Sequence, residues 1–295
     1  MKYCSVVPKE VVEKYGKDFR THPVGTGPFK FQIWEEGVKL VLRKNPDYFE
    51  TDEEGNRLPY LDAVAITFIV DKQSVFMEFM KGSLDFMSGI DACYKDALLT
   101  KTGELNPDYA DRVQLLTGPY LNTEYLGFML KDDGQDNPLL KKEVRQAINY
   151  GFDREKMMRY LRNNTGYPGT SGFVPMGLSS FDTSKVKGYN YNPAKALELL
   201  AKAGYPNGKG LSPIPLSVSA NYLDISQYIQ HELEQIGIPV TLDVQQAAQQ
   251  RQMMRNYQLP FFRGSWICDY PDPENYLSLF YSKNLQPNGS NYTHY

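Results

Sequence analysis

Three side chains that are able to bind a charged ligand follow one another at the end of an apolar, strand-like run. Arg263, Trp266 and Asp269 recur at a spacing of three residues, and the chain then enters an acidic, proline-rich turn. Asp272 precedes Pro273, so it is predicted to cap the helix that follows. Asp269 receives no such structural role from its position. A carboxylate beside an indole is costly to bury unless a cation pairs with it, and the amine of a ligand is such a cation.

The same residues also have an ordinary structural interpretation. Asp269 would then close an Asx turn ahead of Pro271, and Trp266 would be a core side chain. On a regular strand, moreover, Arg263 and Trp266 point to opposite faces of the sheet. Both reach one pocket only if Gly264 introduces a bulge or a bend. The pattern alone leaves the binding and the structural interpretation open.

A third interpretation is a hydrolase that uses Asp269 and Asp272 as paired carboxylates. Against it, Asp272 is better explained as a helix cap, and the sequence contains no Gly-x-Ser-x-Gly nucleophile motif. No histidine accompanies a serine or a cysteine in a pattern typical of nucleophilic catalysis. We therefore expect that the protein is not an enzyme and has no catalytic residues.

Composition argues against several other classes of function. The net charge is −3 and the basic residues are scattered, so nucleic acid is not an expected partner. The 3 histidines and the 3 cysteines (Cys4, Cys93 and Cys268) are too widely spaced to predict a metal site, and no cofactor is expected. No window approaches the roughly 20 apolar residues of a membrane span, and no signal segment opens the chain.

The elements before the motif predict how its strand is positioned. Strands and helices alternate, beginning with a strand, over residues 214–219, 224–236, 238–244, 246–256 and 261–267. Such βαβ units favour right-handed crossovers and parallel pairing. Ligands of these sheets bind outside the carboxyl ends of the strands, so the motif is expected to border a crevice.

The first half of the chain is predicted to contain shorter strands. Residues 29–34 and 38–43 form a hairpin in this prediction, and further strands are expected over 84–87, 112–117 and 125–130. In the last of these, Tyr125 and Phe128 are candidate ligand-binding residues. Ordinary strand packing is the alternative for both.

The motif Trp-x-x-Asp-Tyr-Pro-Asp-Pro, with an arginine three residues before the tryptophan, resembles the signature of the family 5 solute-binding proteins. These are the oligopeptide-, dipeptide- and nickel-binding receptors of bacterial ABC importers. Two further blocks, over residues 25–29 and 144–150, are similar to the same family. The resemblance covers nearly the whole chain in consecutive blocks.

The resemblance implies an α/β fold of the periplasmic-binding-protein-like type (type II), with mixed sheets, helices on both faces and two lobes, one of them incomplete. It also implies that the chain is an internal fragment of a longer receptor. Residues 1–128 would be a remnant of the first lobe, and residues 129–295 would form most of the second lobe.

For the site, the resemblance implies that Asp269 holds the free α-amino group of a peptide. Trp266 would form a wall of a side-chain pocket, and Arg263 would pair with the peptide carboxylate. Tyr270, next to Asp269, completes this set of candidate ligand-binding residues. No residue of the set is expected to bind a metal.

The function that the resemblance implies is that of a receptor that binds peptides between its lobes and delivers them to an ABC permease of the inner membrane. A nickel chelate, haem or a saccharide is the alternative cargo. The implied protein is a monomer in the periplasm or outside the cell. It would be lipid-anchored at full length, and its signal segment is expected to be absent from this chain.

Overall fold

The computed structural model describes residues 5–132, 134 and 136–295, and the chain divides into two compact units, Met1–Tyr94 and Lys95–Tyr295. Strands and helices occur in both units, in agreement with the predicted α/β class. The predicted boundary at residue 128 concerns the lobes of a longer receptor rather than compact units of this chain. That boundary stays a prediction.

The described part of the first unit contains helices and an antiparallel sheet. Its elements are α1 (Lys9–Tyr15), β1 (Phe29–Glu35), β2 (Lys39–Lys44), β3 (Ala63–Thr67) and α2 (Lys72–Met80). The sheet has the order β1-β2-β3, and the pairing of β1 with β2 confirms the predicted hairpin. Helix α2 begins after Asp71, whose carboxylate accepts the backbone N–H of Ser74 at 2.7 Å.

The second unit contains the candidate site. Its elements are α3 (Lys95–Leu98), β4 (Asn122–Phe128), α4 (Lys142–Tyr150), α5 (Arg154–Leu161), α6 (Pro193–Lys202), β5 (Ile214–Ser219), α7 (Leu223–Gln235), β6 (Val240–Gln245), α8 (Ala247–Arg255), β7 (Phe261–Ile267) and α9 (Pro273–Leu277). The predicted alternation of strands and helices before the motif is confirmed. The motif strand is β7, and α9 follows the motif.

The sheet of the second unit has the order β4-β7-β5-β6, which places the motif strand in its interior. Strand β5 pairs in parallel with both β6 and β7, as the βαβ pattern predicted. Strand β4 pairs with β7 in the antiparallel direction, so the sheet is mixed. The carboxyl end of β7 therefore lies beside the amino end of β4.

The main core of the second unit lies on one face of this sheet. Leu216 of β5 and Phe261 of β7 are fully buried there, together with Leu233 of α7. Helix α4 adds Val144 and Ala147, because its apolar residues fall on one stripe at helical spacing. This packing fixes the position of β7 between its neighbours.

Two predicted strands are wrong. Residues 84–87 and 112–117 are irregular, and no ladder pairs either run with another strand among the described residues. Both runs contain apolar side chains that are exposed, for example Phe86 and Leu116. Alternating apolar residues indicated a strand, but they carry no information about a hydrogen-bonding neighbour.

Among the described residues, no helix has the length and apolarity needed to cross a membrane.

Candidate ligand-binding site

Strand β7 is regular along its whole length. Its register with β4 runs without a shift from Phe261 opposite Phe128 to Ile267 opposite Asn122. The bulge at Gly264 that would bring Arg263 and Trp266 into one pocket is therefore not formed. We call the side that carries Phe262, Gly264 and Trp266 the Trp266 face, and the side that carries Phe261, Arg263 and Ser265 the Arg263 face.

Gly264 serves close packing across the strands. A Cβ atom at this position would lie 2.6 Å from the ring of Tyr125, which stands directly opposite on β4. The reciprocal arrangement occurs two pairs further along the ladder, where a Cβ atom on Gly127 would clash with the ring of Phe262. Each glycine thus makes room for the aromatic ring on the facing strand, which explains why this strand contains glycine without bending.

Arg263 is held by a carboxylate and by an aromatic ring. Its guanidinium donates to Glu124 of β4 in a short ion pair, and it stacks 3.3 Å from the ring centroid of Tyr222. The Arg263 side chain is only 14% exposed, whereas that of Glu124 is 45% exposed. Burial lowers the pKa of Arg263 to about 10. A ligand carboxylate would have to compete with Glu124 for Arg263.

A second ion pair lies near Tyr222 on the same side of the sheet. Arg162 donates two hydrogen bonds to Asp224, at 2.6 and 3.2 Å. Burial raises the pKa of the Asp224 carboxyl, but the hydrogen bonds and the charge of Arg162 outweigh this effect and bring it below its ordinary value. Arg162 also lowers the pKa of Tyr222, although burial raises that pKa overall. Arg263 and Arg162 therefore both lie near Tyr222.

Trp266 is held by a neutral amide. Its indole Nε1–H donates to Oδ1 of Asn275 at 2.8 Å, and the backbone N–H of Asp269 donates to the same oxygen at 3.2 Å. Asn275 belongs to α9 and is only 5% exposed. Asp272 begins this helix by accepting the N–H of Glu274 at 2.8 Å, which confirms its predicted role as a cap.

The turn between β7 and α9 is also fastened to the start of β4. The carbonyl oxygen of Leu121 accepts the backbone N–H of Cys268 at 3.0 Å and the hydroxyl of Tyr276 at 2.5 Å. Asp269 and Tyr270 are both exposed in this turn. The backbone at Cys268 and Asp269 is therefore fixed from two sides.

Tyr270 interacts within the turn through its phenol. Its hydroxyl donates to Glu274 in a short hydrogen bond, which raises the pKa of Tyr270, while a hydrogen bond with Asn275 opposes the rise. Trp266, Asp269 and Tyr270 are thus brought together around Asn275, and Arg263 is directed to the other face of the sheet. The roles of these four residues toward a ligand stay predictions.

Tyr125 and Phe128 border a different cavity. Tyr125 packs against Phe173 at 5.0 Å between ring centroids, and burial raises its pKa. Phe128 stacks on Phe261 at 5.1 Å. Both line an apolar cavity of about 230 Å³ along the free edge of β4, together with Phe173 and Phe280. The structure supplies packing contacts for both rings, and their predicted role as ligand-binding residues stays untested.

Three residues that organise the site were missed from the sequence. Asn275, Glu124 and Tyr222 have no motif of their own, and each acts on a residue that is distant in the chain or on another element. The only usable signal was the cap at Asp272, which places position 275 in the first turn of a helix. Pairing of β4 with β7 had to be known before Glu124 could be found.

The structure also shows how the side chains that could bind a metal and the cysteine thiols are arranged. Across residues 5–132, 134 and 136–295, no group of three or more histidine, cysteine, aspartate or glutamate side chains is arranged to hold a metal ion. Cys93 and Cys268 are free thiols. Cys4 lies outside the described residues.

Comparison with known protein families assigns the chain to one of them. A family model described as "Bacterial extracellular solute-binding proteins, family 5 Middle" matches residues 1–288. The chain belongs to this family. The resemblance carried by the motif is therefore confirmed.

Curated relatives agree with this assignment. The glutathione-binding protein GsiB of Shigella flexneri is 26% identical over 289 residues, which are 96% of this chain and 52% of the relative. GsiB of Salmonella choleraesuis is 27% identical over 297 residues, which are 99% of this chain and 54% of the relative. The chain thus spans about half the length of the curated relatives it matches.

Solved structures confirm the type II fold. The periplasmic binding protein DppA of Helicobacter pylori, in complex with the peptide STSA, matches with a TM-score of 0.77 and 22% identity over 98% of this chain and 54% of that one. NikZ of Campylobacter jejuni, in complex with Ni(L-His), matches with a TM-score of 0.74 and 21% identity over 98% of this chain and 57% of that one. The chain therefore has the fold of these proteins, as an incomplete part of it.

Proposed function

We propose that this chain contributes the ligand site of a solute-binding receptor that delivers peptides to the permease of an ABC importer. The observation that carries the proposal is the turn after β7. There the exposed residue Asp269 stands on a backbone that Asn275 holds, beside an indole that the same amide holds. A carboxylate on a fixed turn binds an ammonium group through charge-assisted hydrogen bonds. The free α-amino group of a peptide fits this site.

The alternative is the same receptor with another cargo. DppA was solved with a peptide, NikZ with a nickel–histidine complex, and MoaA of A. tumefaciens with mannopinic acid. Membership of the family therefore does not select one ligand. Asp269 favours a ligand with a positively charged group, and this supports a peptide over haem, a saccharide or a nickel chelate.

Native mass spectrometry tests the cargo. The protein, expressed as its gene encodes it and purified without unfolding, is expected to carry adducts with the masses of short peptides. Asp269→Asn is expected to lose most of these adducts, because the neutral amide cannot pair with an ammonium group. Asp111→Asn, a change at an exposed aspartate outside the motif, serves as the matched control. Adducts with the mass of nickel, haem or a sugar would contradict the proposal.

We further propose that the receptor is not an enzyme. The curated relatives are binding proteins by name, and Asp272 is occupied as a helix cap. Incubation of the protein with tri-alanine, followed by chromatography, is expected to return the intact peptide. Release of di-alanine and alanine would support paired carboxylates at Asp269 and Asp272 instead.

The proposed partner is an ABC permease of the inner membrane, and the proposed location is the periplasm or the outer side of the cell membrane. The family description supports an extracellular protein. A lipid anchor on the full-length protein and a monomeric state are part of the same proposal. Fractionation of cells, followed by size-exclusion chromatography with light scattering, is expected to find a monomer in the membrane fraction. A dimer in the cytosolic fraction would contradict both points.

A further inference from the structure

Asn275 lies at the centre of the candidate site without having been identified from the motif. It is 5% exposed, and it interacts with three of the predicted ligand residues, Trp266, Asp269 and Tyr270. We infer that Asn275 is the positioning residue of the ligand site, which fixes the indole wall and the turn of the amine-binding aspartate before a ligand arrives. The inference rests on the proposed peptide-binding function, but the contacts of Asn275 with Trp266 and Asp269 can be tested without a ligand.

The side-chain oxygen of Asn275 is saturated by these contacts. An amide oxygen has two lone pairs, and here one accepts the indole N–H of Trp266 at 2.8 Å and the other the backbone N–H of Asp269 at 3.2 Å. The two donors lie on either side of Cys268, at the point where β7 becomes a turn. Because one atom accepts both, the indole plane cannot rotate independently of the turn.

Asn275 is itself held in place by the first turn of α9. Its backbone N–H donates to the carbonyl oxygen of Asp272 at 3.1 Å, and its own carbonyl oxygen accepts the hydroxyl of Ser278 at 2.9 Å. The neighbouring Tyr276 is fully buried and donates to the carbonyl oxygen of Leu121. A site residue whose own support is fixed in this way is preorganised rather than assembled by the ligand.

A neutral amide suits this position better than the alternatives. A leucine of similar size would leave the indole N–H and the backbone N–H without their acceptor. An aspartate would keep the acceptor, but it would place a second negative charge close to Asp269. Serine is too short to reach either donor. These three replacements therefore separate the geometry of the acceptor from the charge and from simple loss of packing.

The indole N–H reports the geometry without any ligand. In the protein as its gene encodes it, the 15N–1H resonance of the Trp266 indole is assigned by its loss in Trp266→Phe. Asn275→Leu is expected to shift this resonance and to accelerate its exchange with solvent at least tenfold. Asn275→Asp is expected to keep slow exchange. Asn291→Leu, the same change at another buried asparagine, is expected to leave the resonance in place.

An unchanged indole resonance in Asn275→Leu would overturn the inference. If Asn275→Leu does not fold, Asn275→Ser replaces it, with the same expected and contradictory results. A shift of equal size in Asn291→Leu would also overturn the inference, because the indole would then be reporting general loss of packing.

Binding supplies the second readout. Tri-alanine and N-acetyl-tri-alanine differ only in the charged amine, and calorimetry gives the ratio of their affinities. Asn275→Leu is expected to reduce the preference for the free amine at least tenfold. Asn275→Asp and Asn291→Leu are each expected to keep the preference of the unsubstituted protein. An unchanged preference in Asn275→Leu would overturn the inference. If the unsubstituted protein shows no preference, the proposed peptide function fails, and the indole experiment alone decides the role of Asn275.

Discussion

The two faces of strand β7 hold their polar side chains in different ways. On the Arg263 face, Arg263 is held by the charge of Glu124 and by the ring of Tyr222. On the Trp266 face, Trp266 is held by the neutral, buried amide of Asn275. The acceptor on the first face is half exposed, and the acceptor on the second is not.

This difference separates an exchangeable site from a fixed one. A half-exposed carboxylate can be replaced by the carboxylate of a ligand, because the ligand would keep the largely buried charge of Arg263 paired. A buried amide with both lone pairs used can be replaced only at the cost of unpaired donors. We therefore expect the amine end of a ligand to meet a rigid surface, and its other end to meet an adaptable one.

The largest expected effect is on the packing of the Trp266 face. Gly127→Val places a side chain against the ring of Phe262, which is 1% exposed and has little room to move. Overpacking of this kind costs about 1–3 kcal/mol, and urea unfolding should show the loss. Ser265→Val, on the exposed part of the Arg263 face, is the control and should change stability by less than about 0.5 kcal/mol.

A double change sharpens this test. If the ring of Phe262 is the obstacle, Gly127→Val combined with Phe262→Leu should be less destabilised than the sum of the two single changes. Strict additivity would mean that Gly127 is required for another reason, and that the reciprocal packing of glycine and aromatic rings does not hold the Trp266 face.

A smaller effect is expected from the ion pair on the Arg263 face. Glu124→Gln should lower the free energy of unfolding by about 0.2–1 kcal/mol, and the loss should shrink as salt is added. The change should also free Arg263, so a peptide with a free carboxylate should gain affinity relative to its carboxamide. Glu234→Gln, at an exposed position of α7, is the control. Equal effects on the two ligands would exclude Arg263 as a carboxylate partner.

The smallest expected effect is the response to acid. The pKa of Asp224 is lowered in the folded protein, so its contribution to stability is present above its ordinary value of 3.8. That contribution is lost as the pH falls through the folded value. Below pH 4, the free energy of unfolding should therefore fall more steeply with decreasing pH in the unsubstituted protein than in the Asp224→Asn variant. Asn275→Leu should keep the steep response, because Asn275 is neutral and takes no part in the pair of Arg162 with Asp224. If the free energy of unfolding of the unsubstituted protein and that of Asp224→Asn changed with pH in parallel, the result would contradict this account.

The sequence predicted the features that depend on neighbouring residues. The helix cap at Asp272 is formed as predicted, because a cap is a contact between residues two or three positions apart. Strand β5 begins and ends where its apolar run predicted. The family motif identified the turn after β7 before any pairing was known.

The arrangement of the site could not be predicted in the same way. The contact of Arg263 with Glu124 joins residues 139 positions apart, and it exists only because β4 pairs with β7 in one register. The role of Asn275 depends on the angle at which α9 leaves the turn, for which the sequence carries no local signal. Gly264 was expected to bend the strand if it acted at all, whereas its partner ring on β4 explains it without a bend.

The central claim is that Asp269 pairs with a charged amine, and a cycle of two proteins and two ligands tests it directly. Calorimetry would compare the unsubstituted protein and Asp269→Asn, each with the peptide found by mass spectrometry and with its N-acetyl form. Loss of a hydrogen bond between charged groups should cost about 1.5–3 kcal/mol, and only for the free amine. Equal losses for both peptides, or no loss for either, would contradict the claim.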